Sequence, residues 1–176
     1  MRKIFCFLIL IILFACNNTS EDKKNKTNIP IDSLTIFDDE FALNPFPEKV
    51  NFNYFLKHIN VEYKFSKEME AYLSENIDTF KVLKWGNSYV KALLKEDEND
   101  FFLVQLVISD SNFILNNNIK IGQTAESIFK KFNYKIDKNK YYKFLQVENK
   151  EAACNLFYFN FTNNILTSFE YYPYTG

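Results

Sequence analysis

Apolar residues recur at helical spacing in two stretches of the chain. In Asn116–Phe132 (NNNIKIGQTAESIFKKF) the residues Ala125, Ile128, Phe129 and Phe132 fall at i, i+3, i+4 and i+7 and share one face of a helix. Thr124 stands where its hydroxyl can cap the first turn, and Lys130 and Lys131 fall at the negative end of the helix dipole. Upstream, Pro45-Phe46-Pro47 ends any preceding element, and Asn51 can cap a second helix with Phe52, Phe55, Leu56 and Ile59 on its apolar side. The two templates are 73 residues apart (Asn51 to Thr124).

Behind each helix the period changes towards two. After the first come Val61–Phe65, a helical turn over Lys67–Leu73, and strands at Phe80–Trp85, Ser88–Leu94 and Phe101–Ile108. Gly86-Asn87 marks a two-residue hairpin, and Glu96–Asp100 a charged turn. After the second come Tyr141–Val147, Ala152–Phe161 and Ile165–Tyr172, with turns at Glu148–Lys150 and Thr162–Asn164. The pattern predicts an α+β fold: two tandem helix-plus-three-strand antiparallel repeats, about 46–115 and 116–176, within a single domain over 31–176. Neither half has surface enough to bury a core alone, so the two sheets should pair or pack as one unit. Ile31–Asn44 reads as a lead-in with a short strand, and its Asp38-Asp39-Glu40 as a solvated turn.

Several strands are apolar on both sides. Phe157, Phe159 and Phe161 oppose Cys154, Leu156 and Tyr158; Phe102, Val104, Leu106 and Ile108 oppose Phe101, Leu103 and Val107. A sheet with helices on one face should alternate apolar and polar. Either another segment covers the second face, or it is left for a partner. Ile165–Tyr172 alternates more cleanly, with Ser168 and Glu170 opposite Phe169 and Tyr171.

The N-terminus carries an address. Arg2 and Lys3 precede an apolar run, Ile4–Phe14, and then Ala15-Cys16, the order of a secretory signal peptide over 1–15. The run is short of the roughly 20 residues that span a bilayer. Leu13-Phe14-Ala15-Cys16 resembles the lipobox of bacterial lipoproteins, with Phe14 larger than the residue usual there. The resemblance implies lipidation of Cys16, cleavage before it, and anchoring in the cell envelope, most simply the outer membrane. Residues 16–30 include Asn17–Asn28, which has no apolar residue, and read as a flexible tether.

Composition narrows the chemistry. Loss of Arg2 and Lys3 moves the formal charge from −1 to −3 (−1 − 2), with no basic stripe for nucleic acid. Phe, Tyr, Ile, Asn and Lys are abundant together, as AT-rich codons produce, which accounts for the 18 % aromatic content before any binding role does. Of three cysteines, Cys6 leaves with the signal peptide and Cys16 is lipidated, so Cys154 is alone and reads as a buried small hydrophobe. His58, the sole histidine, reads as a surface residue. With three glycines there is no phosphate-cradling loop, and no carboxylate or cysteine spacing indicates a metal or an acid–base pair. The expectation is a non-enzyme with no cofactor and no metal.

Ile119-Lys120-Ile121-Gly122-Gln123-Thr124 ahead of an amphipathic helix and a meander resembles the helix start of β-lactamase-inhibitor-protein-like domains. The layout of the small SmpA/OmlA-type outer-membrane assembly lipoproteins is similar. Gly122 and Thr124 match that motif, while Gln123 stands where methionine is frequent, and the match is strongest over 116–172. The resemblance implies fold more than function: members bind proteins, as inhibitors or as assembly accessories, and many have no assigned role. The reading is a membrane-anchored envelope lipoprotein that binds another envelope protein through a sheet face near Trp85, Tyr89, Tyr158 and Tyr171. Its alternatives are an inhibitor of a secreted or periplasmic hydrolase, and an envelope hydrolase.

Overall fold

The computed structural model describes residues 30–31, 34–71, 77–94, 101–137, 140–150 and 155–173. The expected signal peptide, Cys16 with most of its tether, the Glu96–Asp100 turn and Cys154 lie outside the described residues. In chain order the elements are β1 (Pro30–Ile31), β2 (Leu34–Phe37), α1 (Asp39–Leu43), α2 (Phe52–His58), β3 (Lys64–Ala71), β4 (Ile77–Trp85), β5 (Ser88–Leu94) and β6 (Phe101–Ile108). There follow β7 (Ile114–Leu115), β8 (Ile119–Lys120), α3 (Ala125–Lys131), β9 (Tyr141–Tyr142), β10 (Phe144–Glu148), β11 (Leu156–Thr162) and β12 (Ile165–Tyr172).

Eight strands form one sheet in the order β2-β10-β11-β12-β6-β5-β4-β3. All neighbours are antiparallel except β2, which runs parallel to β10. The join between the two meanders is β6 against β12, with Ile108, Val107 and Leu106 facing Phe169, Glu170 and Tyr171. The fold is thus mixed α+β and mostly sheet, as the pattern predicts.

Two adjacent lateral rows explain why the sheet has two unlike faces. Ile36, Val147, Phe157, Tyr171, Leu106, Val90, Leu83 and Phe65 pair successively across all eight strands. The row one residue along is Thr35, Gln146, Tyr158, Glu170, Val107, Tyr89, Lys84 and Lys64. Because side chains alternate along each strand, the first row meets the helices and the second points away from them. Phe41 of α1, Tyr54 and Phe55 of α2, and Ala125, Ile128 and Phe129 of α3 are buried in one core cluster with the first row's interior members. Within it Phe157 is in ring contact with Phe41, Phe159, Phe169 and Tyr171.

Both expected caps form. Asn51 Oδ1 accepts from Tyr54 N at 2.9 Å, and Thr124 Oγ1 from Ser127 N at 3.2 Å. The start of α3 is fixed to the last hairpin: Ala125 N donates to Asn164 O at 2.8 Å, and Gly122 N to Leu166 O at 2.9 Å. The tri-asparagine turn places Asn117 and Asn118 at φ near +55°, a conformation that asparagine tolerates. Lys131 Nζ donates to both their carbonyls, at 2.6 and 2.7 Å.

Four expectations are corrected. Lys67–Ala71 is strand rather than a helical turn, because β3 pairs over its whole length with β4; residues 46–115 therefore contribute four strands to the large sheet. Asp38-Asp39-Glu40 is not a solvated turn: Asp38 caps α1 by accepting from Phe41 N at 2.9 Å, and Phe41 and Ala42 are buried beneath it. The final turn is Asn163-Asn164 alone, both at positive φ, as a two-residue hairpin requires. A register shift between Lys91 and Ala92 breaks the alternation of β6, so that Leu103 joins Leu106 and Ile108 in the core.

Candidate functional site

The second row organises the face that points away from the helices. Glu170 lies at its middle, opposite Tyr158 on one side and Val107 on the other. Its Oε2 accepts from the Tyr172 hydroxyl at 2.9 Å, and its Oε1 from Asn160 Nδ2 at 3.0 Å. The Tyr172 oxygen in turn accepts from Gln105 Nε2 at 3.0 Å, which carries the network across the β6–β12 join. Asn160 also donates to Ser168 Oγ at 3.1 Å. Three strands are therefore tied by side chains on this face in addition to their backbone ladders.

Aromatic rings flank the carboxylate. Tyr158 meets Phe144 and Tyr172 edge-on, with centroids 6.2 and 5.9 Å apart. Tyr89 stands on β5, three strand spacings from Tyr158 in the same row, or about 14 Å at the usual inter-strand distance. Burial raises the phenols of Tyr89 and Tyr158, and the charge of Glu170 raises both further, with Glu148 adding to Tyr158 and Glu68 to Tyr89. Tyr172 is pushed up to about 12, by burial first and then by its bond to Glu170. A carboxylate beside a phenol favours the neutral phenol, so this part of the face has a negative potential.

The other side of the face carries lysines paired with an acid. Lys84 and Lys91 pair with Glu68 at 3.4 and 3.5 Å around a shallow hollow of about 180 Å³ that Tyr89 and Gln105 also line. The Lys91 ammonium lies 4.5 Å from the centroid of Phe80, and Phe80 and Val82 are buried although they point to this side. The second face is thus covered over part of β4 and half-exposed around Tyr158, Tyr172 and Glu170.

The four residues expected to share a binding face are divided by the sheet. Tyr89 and Tyr158 are on the half-exposed side. Trp85 and Tyr171 are 3 and 6 % exposed on the helix side, where Trp85 Nε1 donates to Asp110 Oδ2 at 3.3 Å and the Tyr171 hydroxyl to Ala42 O at 3.4 Å. Strand parity sets this division: Tyr171 precedes Tyr172 and so must face the other way. Glu170, Tyr172, Gln105 and Phe144 are the members that the sequence reading missed. The alternation of Ser168 and Glu170 against Phe169 and Tyr171 already carried the signal for Glu170.

His58 is half-buried rather than a surface residue. Its Nδ1 donates to Tyr54 O at 2.8 Å, and its ring packs on Tyr54 and Phe113. Among the described residues no group of three or more His, Cys, Asp or Glu is placed to hold a metal ion, and no helix is long and apolar enough to cross a membrane. No protein-family model matches the chain, and no curated protein and no solved structure matches it either.

Proposed function

We propose that this is a lipid-anchored envelope protein, modified at Cys16, that binds another envelope protein without catalysis through the half-exposed face around Tyr89, Tyr158 and Glu170. The observation that carries the reading is this face itself. No described helix covers its Tyr158–Tyr172 end, yet Tyr172, Glu170, Gln105 and Asn160 hold one another in place there by hydrogen bonds. A ring fixed by hydrogen bonds, as Tyr172 is, loses little further freedom when a partner covers it, which favours binding. Tyrosines with a polar tip suit such a surface.

The proposal includes an internal duplication. The helices α2 and α3 are both seven residues long, with each boundary of α2 recurring 73 residues later in α3 (Phe52 to Ala125, His58 to Lys131). Each cap accepts from the amide three residues on. Each helix precedes a meander; β2 brings the second side of the sheet to four strands, equal in number to β3–β6, but it is parallel to β10 where β3 is antiparallel to β4. The β6–β12 join is antiparallel, as a two-fold relation between the halves requires.

The test is photocrosslinking in cells of the source organism, with a photoreactive residue at position 158 and, as control, at position 43 on the helix side. One dominant envelope protein joined at 158 and not at 43 supports the reading. Equal adducts at both positions, or none at 158 with sound controls, sinks it.

A further inference from the structure

We propose that the Glu148–Tyr158–Glu170 end of this face receives a guanidinium or ammonium group from a lysine or arginine side chain of the protein partner; the inference rests on the binding reading above. Its basis is where the lysines of this face stand: they lie at its other end, two of them paired with Glu68. The strands β2, β10, β11 and β12 contain no Lys or Arg, and they direct Glu148 and Glu170 to this side. Lys64, Lys84 and Lys91 all stand at the opposite end, on β3, β4 and β5.

Both carboxylates are half-buried, and both meet only neutral donors among the described residues. Glu170 accepts from Tyr172 and Asn160, and Glu148 from Gln146 Nε2. A carboxylate partly removed from water and lacking a countercharge is under-compensated, and a cation brought by a partner corrects that. Glu148 pairs with Leu156 and Glu170 with Tyr158, two residues along the same strand, so the Tyr158 ring lies between the two charges. Phe144, Tyr158 and Tyr172 add π faces, to which cations are attracted. A planar guanidinium with five donors can serve two carboxylates and stack on a ring at once. Anionic groups are repelled here. A bare metal ion fits poorly, since amide and phenol hydrogens already point at the carboxylate oxygens.

The probe is an acetylated, amidated tetra-arginine peptide titrated by calorimetry into the full-length lipidated chain in neutral detergent. Saturable binding should weaken about tenfold or more in Glu170→Gln and in Glu148→Gln, severalfold in Tyr158→Leu, and not in Glu48→Gln. Equal weakening in Glu48→Gln, or binding without saturation, reduces the effect to net charge and overturns the proposal. In cells, the position-158 crosslink should be lost in the Glu148→Gln/Glu170→Gln chain, with its circular dichroism unchanged. A crosslink that persists there keeps the binding face and overturns the cation seat. A crosslink missing from the unaltered chain overturns both.

Discussion

Gln105 and Tyr172, 67 residues apart in the chain, are joined by a 3.0 Å hydrogen bond across the seam between β6 and β12. The same hydroxyl donates to Glu170, so one oxygen links the two meanders and orients the central carboxylate of the half-exposed face. Tyr172→Phe removes both bonds and leaves Gln105 Nε2 and Glu170 each one partner short. A loss of about 1–2 kcal/mol in denaturant unfolding is expected. In a double-mutant cycle with Gln105→Ala the effects should fall short of additivity by at least about 0.5 kcal/mol. Strict additivity would show that the bond contributes nothing in solution.

The core should be far less tolerant than the strand edge. Phe157 is fully buried and touches four other rings, so Phe157→Ala should cost about 3–5 kcal/mol. Phe37, 56 % exposed on the edge strand β2, should tolerate alanine within about 0.5 kcal/mol. Similar losses at the two positions would mean that β2 is covered or that Phe157 is not close-packed.

The caps offer a matched pair. Asn51→Ala and Thr124→Ala each leave a first-turn amide without its side-chain acceptor, and each should cost about 1 kcal/mol. Thr124→Ser should recover most of the second loss. Thermal unfolding distinguishes these results, and an equal loss in Thr124→Ser would point to the methyl group instead of the hydroxyl.

Alkali should unfold the protein in a defined window. Burial pushes Tyr171 up to about 12, and Tyr54 to about 12 with help from Glu48. Phenols of the unfolded chain ionise near their ordinary 10.0, so the unfolded state sheds these protons first. The stabilisation is complete below pH 10 and is lost as pH rises towards 12. Tyrosinate absorbance and circular dichroism should change together in that range, and Tyr171→Phe should make the decline shallower. Full ionisation near 10 with the fold intact would contradict the burial of these rings.

Much of this architecture was legible in the sequence because its signals are local. Asn51 and Thr124 announce their helices one residue ahead, and Ser88–Leu94 and Phe101–Ile108 have the bounds that their period and flanking turns indicate. What was misread depends on pairing. Lys67–Ala71 has no strand signal of its own and becomes one only by hydrogen-bonding to β4. The irregularity between Lys91 and Ala92 cannot be seen without the partner strand, and it reassigns Leu103. Among the site residues, Tyr158 and Tyr89 were chosen for their aromaticity, whereas Trp85 and Tyr171 share that aromaticity and belong to the core. Which side a tyrosine takes is decided by parity against the helices, and in β12 that parity could be counted from Ser168 and Glu170.

The parallel strand β2 also imposes an order in time. Leu34–Phe37 is made early and pairs only with Phe144–Glu148, and Asp39 accepts from Lys150 N over a separation of 111 residues. During synthesis the first strand of the large sheet must wait, unpaired, until nearly the whole chain has followed it. Contacts of such separation slow folding. The large sheet therefore closes in two stages: β3–β6 can pair as they are made, while its first strand is added only after the last third has emerged.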